Sequence, residues 1–176
     1  MFRFLLTAPL LLPGAGFAQT PVLPAPVAWA DHTRVLPEKL RGIPTGLALT
    51  HAPTPVYPAP DAARPGGFRW HHATTIRAEV ADLEIIACGS FIWYSAAGWQ
   101  TNLIETPAEF AELFRCPGGK LRQGQAYTFA ANDRTTDSAA HLYPGDALWY
   151  VLARDPRTGT VYKGIGLVET EGQVQK

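Results

Sequence analysis

The middle of this chain alternates apolar and polar residues with a period of two. In Thr75-Ile76-Arg77-Ala78-Glu79-Val80 the apolar Ile76, Ala78 and Val80 alternate with Arg77 and Glu79, the pattern of a half-buried strand. Ala81-Asp82 reads as a tight turn into the apolar run Leu83–Cys88. Gly89-Ser90 allow a bend or bulge, and Phe91–Tyr94 continue as the same strand or a second one. Near the C-terminus, Ala147–Ala153 is β-rich. Asp155-Pro156-Arg157-Thr158-Gly159 forms a hairpin loop, and Val161–Val168 returns as a strand. Gly164 and Gly166 in that strand mark a bulge or a close backbone approach.

One segment switches to a helical period. Thr106-Pro107-Ala108-Glu109 is a capping box with Pro at the first helical position. Phe110, Leu113 and Phe114 supply an i, i+3, i+4 apolar face. Cys116-Pro117-Gly118-Gly119 stops the helix, which is expected at about 107–115. Beyond it, the spacing Leu121, Gly124, Tyr127 is similar to the corner before a late strand in fibronectin-III-like sandwiches. There a Tyr hydroxyl bonds backbone upstream. Leu142–Asp146 repeats the turn-then-strand design.

The first 66 residues have a different texture. Arg3, the apolar run Phe4–Leu12 and the small residues Gly16 and Ala18 read as a secretory signal peptide, 1–18, cleaved after Ala18. The run is short for a membrane span and is interrupted by Pro9 and Pro13. The expected location is therefore periplasmic or secreted. Residues 20–66 are dense in proline, which fixes φ and lacks a donor, so they are expected to be extended or irregular. Trp29, Val35, Leu36, Leu40, Ile43, Leu47 and Leu49 are too apolar for a pure spacer. The reading is an arm lying on the domain up to about Leu49, then a Pro/Ala linker from His51 to Gly67.

Composition adds two constraints. Hydrophobic residues at 47% and charged residues at 17% supply a core and argue against disorder. Lys+Arg and Asp+Glu are 15 each, which gives no electrostatic reason to expect nucleic acid or an anionic membrane. Two cysteines in an exported chain are most simply one disulfide, Cys88–Cys116. A loop of that length would contribute roughly 3–4 kcal/mol.

Candidate chemistry falls into three groups. His71 and His72, with His141 from a later loop, are candidate metal ligands, although neighbours in a regular strand face opposite sides. Trp70, Trp93, Trp99 and Tyr143 are candidate binding residues, the exposed share of an aromatic set that otherwise fills the core. The acids Glu105, Glu109 and Glu112 cluster at the helix start, where the dipole favours them. Asn132, Asp133, Asp137 and Asp146 sit in or beside the expected loop 131–144, where the first three could wrap a calcium ion although their spacing is not that of an EF-hand. Ser90, Ser95 and Ser138 lack a nucleophile-elbow context, and no phosphate loop is present in the sequence.

These observations support an all-β chain: a single Ig/fibronectin-III-like β-sandwich over 68–170, one short helix, a Pro-rich arm and linker over 19–67, and a tail at 171–176. The expected function is an exported, non-catalytic binding or accessory module, recognising a protein or other ligand through exposed aromatics and loops. The alternatives are a periplasmic metal-binding protein using His71, His72 and His141, and a hydrolase using loop carboxylates. No cofactor is expected outside the metal alternative. The expected partner is another exported protein or a surface ligand, without nucleic acid and without stable membrane insertion.

Overall fold

The computed structural model describes residues 35–94 and 97–175. The expected signal peptide and the arm as far as residue 34 lie outside the described residues. The fold is all-β with two antiparallel sheets and one short helix. In chain order the strands are β1 (Leu47–Ala52), β2 (Pro58–Pro60), β3 (Phe68–Ala78), β4 (Leu83–Tyr94) and β5 (Gly98–Glu105). Helix α1 (Pro107–Leu113) follows, then β6 (Lys120–Leu121), β7 (Ala126–Thr136), β8 (Gly145–Arg154) and β9 (Val161–Thr170).

One sheet has four strands. β3 is its centre, with β1 and β2 sharing one side and β7 on the other. The second has five, in the order β5-β4-β8-β9, with the short β6 beside β5 on the same flank of β4. Period-two alternation lets each strand bury one face. Leu47, Leu49, Trp70, Ile76, Ile85, Trp149, Val151 and Val168 meet between the sheets. Phe110 and Phe114 of the helical turn close one end with stacked rings, 4.3 Å between centroids.

On one side the sheets are drawn into contact. Gly46 N–H donates to Lys163 C=O, and Val56 N–H donates to Glu169 C=O, so β1 and its continuation run against β9. A side chain on β9 would block this. A Cβ at Gly164 would lie 2.9 Å from Leu47 Cβ, and one at Gly166 would lie 2.8 Å from Leu49 O. The two glycines mark close approach, one of the two roles expected for them.

The capping box is formed as the sequence implies. Thr106 Oγ1 accepts from the Glu109 N–H, and the Glu109 carboxylate accepts from the Thr106 N–H at 2.7 Å. The Tyr127 hydroxyl accepts from the Arg122 N–H, which pins the corner before β7. Among the described residues, no helix is long and apolar enough to cross a membrane.

Several expectations are corrected. The β structure begins at Leu47, not Phe68: β1 and β2 occupy the stretch read as arm and linker. The prolines of β2 are tolerated because that strand pairs only with β3, at the sheet edge, and β1 itself contains none. Val80 is exposed because β3 ends at Ala78. Residues Gly98–Glu105, where no strand was expected, form β5. β7 runs on through Ala131 to Thr136, into the expected loop. The tail is held at its start, where the Glu171 N–H donates to Val56 C=O and the Glu171 C=O accepts from Trp70 Nε1. Cys88 and Cys116 are both free and buried. No disulfide joins them: Cys88 sits mid-strand in β4, and the Cys116 thiol donates to Lys120 C=O at 2.9 Å. Burial pushes the Cys88 thiol up to about 12 and the Cys116 thiol up to about 11.

Candidate functional site

The outer face of the five-stranded sheet is apolar where a sandwich surface is normally polar. Phe91 of β4 and Leu148 and Tyr150 of β8 turn outward and are nonetheless buried. They are covered by residues 36–40, with Leu40 wholly buried among them. The sequence folds this way because Leu36 and Leu40 are the apolar positions of a short 3-10 turn, Glu38–Leu40, entered through Pro37. Polar contacts lock it down. Lys39 Nζ donates to the Tyr150 hydroxyl at 2.7 Å and lies 4.0 Å from the Tyr150 ring centroid and 4.7 Å from that of Phe91. Lys163 Nζ donates to Leu40 C=O, and Arg41 Nε to Leu36 C=O.

Beside this contact the arm and the sheet leave a cleft of about 770 Å³. Its floor is Phe91, Trp93 and Trp99, and its wall is residues 35–39 and Arg41. Trp93 and Trp99 are cross-strand partners with ring centroids 5.2 Å apart and planes at 69°, the edge-to-face arrangement. The rim is exposed and apolar at Val35 (64%). Tyr94, at the end of β4, and Ile104, further along β5 on the outer face, are exposed as well. An apolar floor with a few placed charges suits a flat or extended apolar group.

A second polar group lies inside the core. His51 Nδ1 is 2.9 Å from Thr74 Oγ1, and Asn132 Nδ2 donates to the same Oγ1 at 2.8 Å. The hydroxyl accepts from the amide and shares a second hydrogen bond with Nδ1, in which either atom can be the donor according to the imidazole tautomer. Nε2 faces the Gly166 backbone without a well-formed hydrogen bond. His72 comes edge-on to His51, centroids 5.4 Å apart, and neither of its ring nitrogens has a hydrogen-bond partner. Burial, reinforced by His72, pushes His51 down to about 4, offset in part by the Gly166 backbone. Burial also lowers His72; Asp133 opposes this and His71 adds to it. Both imidazoles are neutral at pH 7, and the cleft does not reach them.

The residues expected to carry function are dispersed. Of the aromatic set, Trp93 and Trp99 reach the cleft, with Trp93 largely buried in its floor. Trp70 is fully buried between the sheets, under the Arg134 guanidinium at 4.4 Å, so it is no binding surface. Tyr143 is exposed but is not part of the cleft. His71 and His72 point to opposite faces of β3, as neighbours on a strand must. His71 bonds Asp133 at 2.6 Å outside, His72 is in the core, and His141 is on an exposed turn. The three therefore do not form one metal site. Among the described residues, no group of three or more His, Cys, Asp or Glu side chains could hold a metal ion.

The acids are equally scattered. Glu109 serves the helix cap, Asp133 pairs with His71 and Arg69, and Asp137 lies 3.7 Å from Arg64. Asn132 turns inward while Asp133 turns outward, so they do not wrap one ion. His51 and the arm residues Lys39 and Leu40 were not among the candidates. His51 continues the alternation Leu47, Leu49, His51, a signal masked by the prolines that follow.

No protein-family model matches the chain, and no curated protein matches it. Among solved structures, the chain is similar to one described as an ApaA protein from Bordetella pertussis. The TM-score is 0.44 at 11% identity, covering 73% of this chain and 96% of that one. A likeness of that size leaves the reading of site and function to the chain's own geometry.

Proposed function

We propose that this protein is an exported, non-catalytic binding module of Ig/fibronectin-III-like topology that takes an apolar group of its ligand into the cleft beneath the arm. The observation that carries this reading is the paired Trp93 and Trp99 on the cleft floor, between an apolar rim and the Lys39 and Arg41 side chains. Aromatic floors of this kind supply large contact area at low side-chain entropy cost. The Tyr127 corner supports the topology. The export reading rests on residues 1–18 alone. The ligand fits the class expected from the sequence, an exported protein or a surface ligand presenting an apolar side chain or ring.

An anionic aromatic dye, anilinonaphthalene sulfonate, is a suitable probe, because the cleft combines an apolar floor with a wall on which Lys39 and Arg41 outnumber Glu38. Saturable binding at one site per chain is expected, weakened about tenfold or more in Trp99→Ala, which corresponds to about 1.4 kcal/mol. Equal binding by the wild type and Trp99→Ala would remove the basis for the cleft. N-terminal sequencing of the protein from a fractionated cell tests export: a chain starting at Gln19 in the periplasm or medium is expected, and one retaining Met1 in the cytoplasm overturns it.

A further inference from the structure

Followed back towards its N-terminus from β1, the chain crosses the outer face of the five-stranded sheet. Pro44 and Gly46 are held to β9 through the Lys163 backbone. Lys39 and Leu40 come next, over Tyr150 of β8 and Phe91 of β4. Leu36 belongs with Trp99 to the same apolar cluster, and Val35, the first described residue, lies on the cleft wall. The path thus steps from β9 to β8 to β4 and arrives beside Trp93 and Trp99.

The sequence just ahead of Val35 has the composition that such a floor accepts. Residues 21–30 read Pro21-Val22-Leu23-Pro24-Ala25-Pro26-Val27-Ala28-Trp29-Ala30, without a charge and with one large aromatic side chain. Charges return only at Asp31 and Arg34, next to the described chain. Proline-rich segments favour polyproline II, and aromatic-lined grooves take up that shape because little chain entropy is left to lose. We propose that residues 21–30 dock in the cleft of their own chain, with the Trp29 indole on the Trp93–Trp99 floor, and so compete with the ligand. This docking presupposes that the cleft is the ligand site proposed above.

Reach and tether length both allow it. Trp29 stands six residues before Val35, so its Cα lies within about 20 Å of the cleft wall in any conformation. Residues 30–34 are the tether. A tether that short holds its end at a local concentration on the order of 1 mM. A segment that bound at only about 0.1 mM as a free peptide would then fill the cleft roughly nine-tenths of the time, and would weaken a competing ligand about tenfold. A single indole on an aromatic floor supplies a contact of that modest strength.

Binding of anilinonaphthalene sulfonate to the protein with residues 19–34 retained tests this. Trp29→Ala is expected to bind the dye about tenfold more tightly than the wild type. A synthetic peptide of residues 21–30, added to that variant, is expected to displace the dye. Unchanged or weaker dye binding in Trp29→Ala overturns the proposal, as does a peptide that displaces nothing. Docking into a second copy would show as wild-type dye affinity that falls as the protein is concentrated, with a dimer mass in sedimentation equilibrium, and overturns the assignment to the same chain. Trp99→Ala weakens segment and dye alike, so the cleft itself is read by adding Trp99→Ala to Trp29→Ala, where the segment does not compete. If that addition weakens the dye while Trp29→Ala alone does not tighten it, the cleft stands and the docked segment falls. If it changes nothing, both fall.

Discussion

Acidification should loosen this protein through its core rather than its surface. His51 and His72 are both more than nine-tenths buried, face each other at 5.4 Å, and are neutral in the folded state. Unfolding exposes them to water, where imidazole takes up a proton near pH 6.5. Their folded-state affinity for protons is depressed, so the unfolded chain binds more protons as the pH falls. The stabilisation is complete above about pH 6.5 and is lost as the pH drops towards 4, where His51 titrates in the fold. The shift for His51 from 6.5 to about 4 corresponds to about 3 kcal/mol in all. His72 contributes in the same direction. A domain of this size has roughly 5–15 kcal/mol of stability, so the effect is a large fraction of the total.

The assay is urea unfolding followed by tryptophan fluorescence at closely spaced pH values. In the window from pH 6.5 to 5 the histidines set the loss, because Glu109 and Asp155 are held low by hydrogen bonds and lose their stabilising effect only in more acid solution, while Glu105, raised by burial and by Glu109, acts in the opposite sense. Across that window His51 alone should remove about 2 kcal/mol. The variant His51→Leu/His72→Leu should lose most of this slope, whatever its stability at pH 7. A wild type with constant stability from pH 6.5 to 5, or an unchanged slope in the double variant, refutes the reasoning.

Three other outcomes are expected. Gly89→Ala places a Cβ 2.2 Å from Leu103 O and 2.8 Å from the Tyr150 hydroxyl, so it should lower stability by roughly 1–3 kcal/mol; a neutral urea midpoint would contradict the packing of β4. Leu40→Ala should cost about 2–5 kcal/mol by opening the contact between arm and sheet, whereas a purely flexible arm would show no change in calorimetry. Both thiols should resist Ellman's reagent in the native protein and react, two per chain, on unfolding without reductant; none reacting would mean that a disulfide is present.

Sequence legibility followed the range of the interactions involved. The cap of α1 and the β8–β9 hairpin could be read because their determinants lie within a few residues. The pairs are Thr106 with Glu109, and Asp155 N–H with Thr160 C=O. β5 could not, since an edge strand buries little and Gly98-Trp99-Gln100-Thr101-Asn102 does not alternate. β1 and β2 were obscured by surrounding prolines that an edge can accept. Adjacent Trp93 and Tyr94 had to face opposite ways, but only the fold decides which side is covered. The cleft depends on Lys39 meeting Tyr150, 111 residues away, which no local pattern encodes. His71 and His72 drew notice as neighbours, while the residue that meets His72 is His51, brought from another strand.

The glycine seam between β1 and β9 has a mechanical consequence. Gly164 and Gly166 present no side chain of their own, so Leu47, His51 and the β1 backbone rest directly on β9. The seam is thus a fixed pivot, and a change in the angle between the sheets is largest at the opposite margin. β5 lies on that margin, with the aromatic cleft on its outer surface. Small motions of the sandwich are consequently levered towards the surface that carries the cleft, while the buried imidazoles stay close to the pivot.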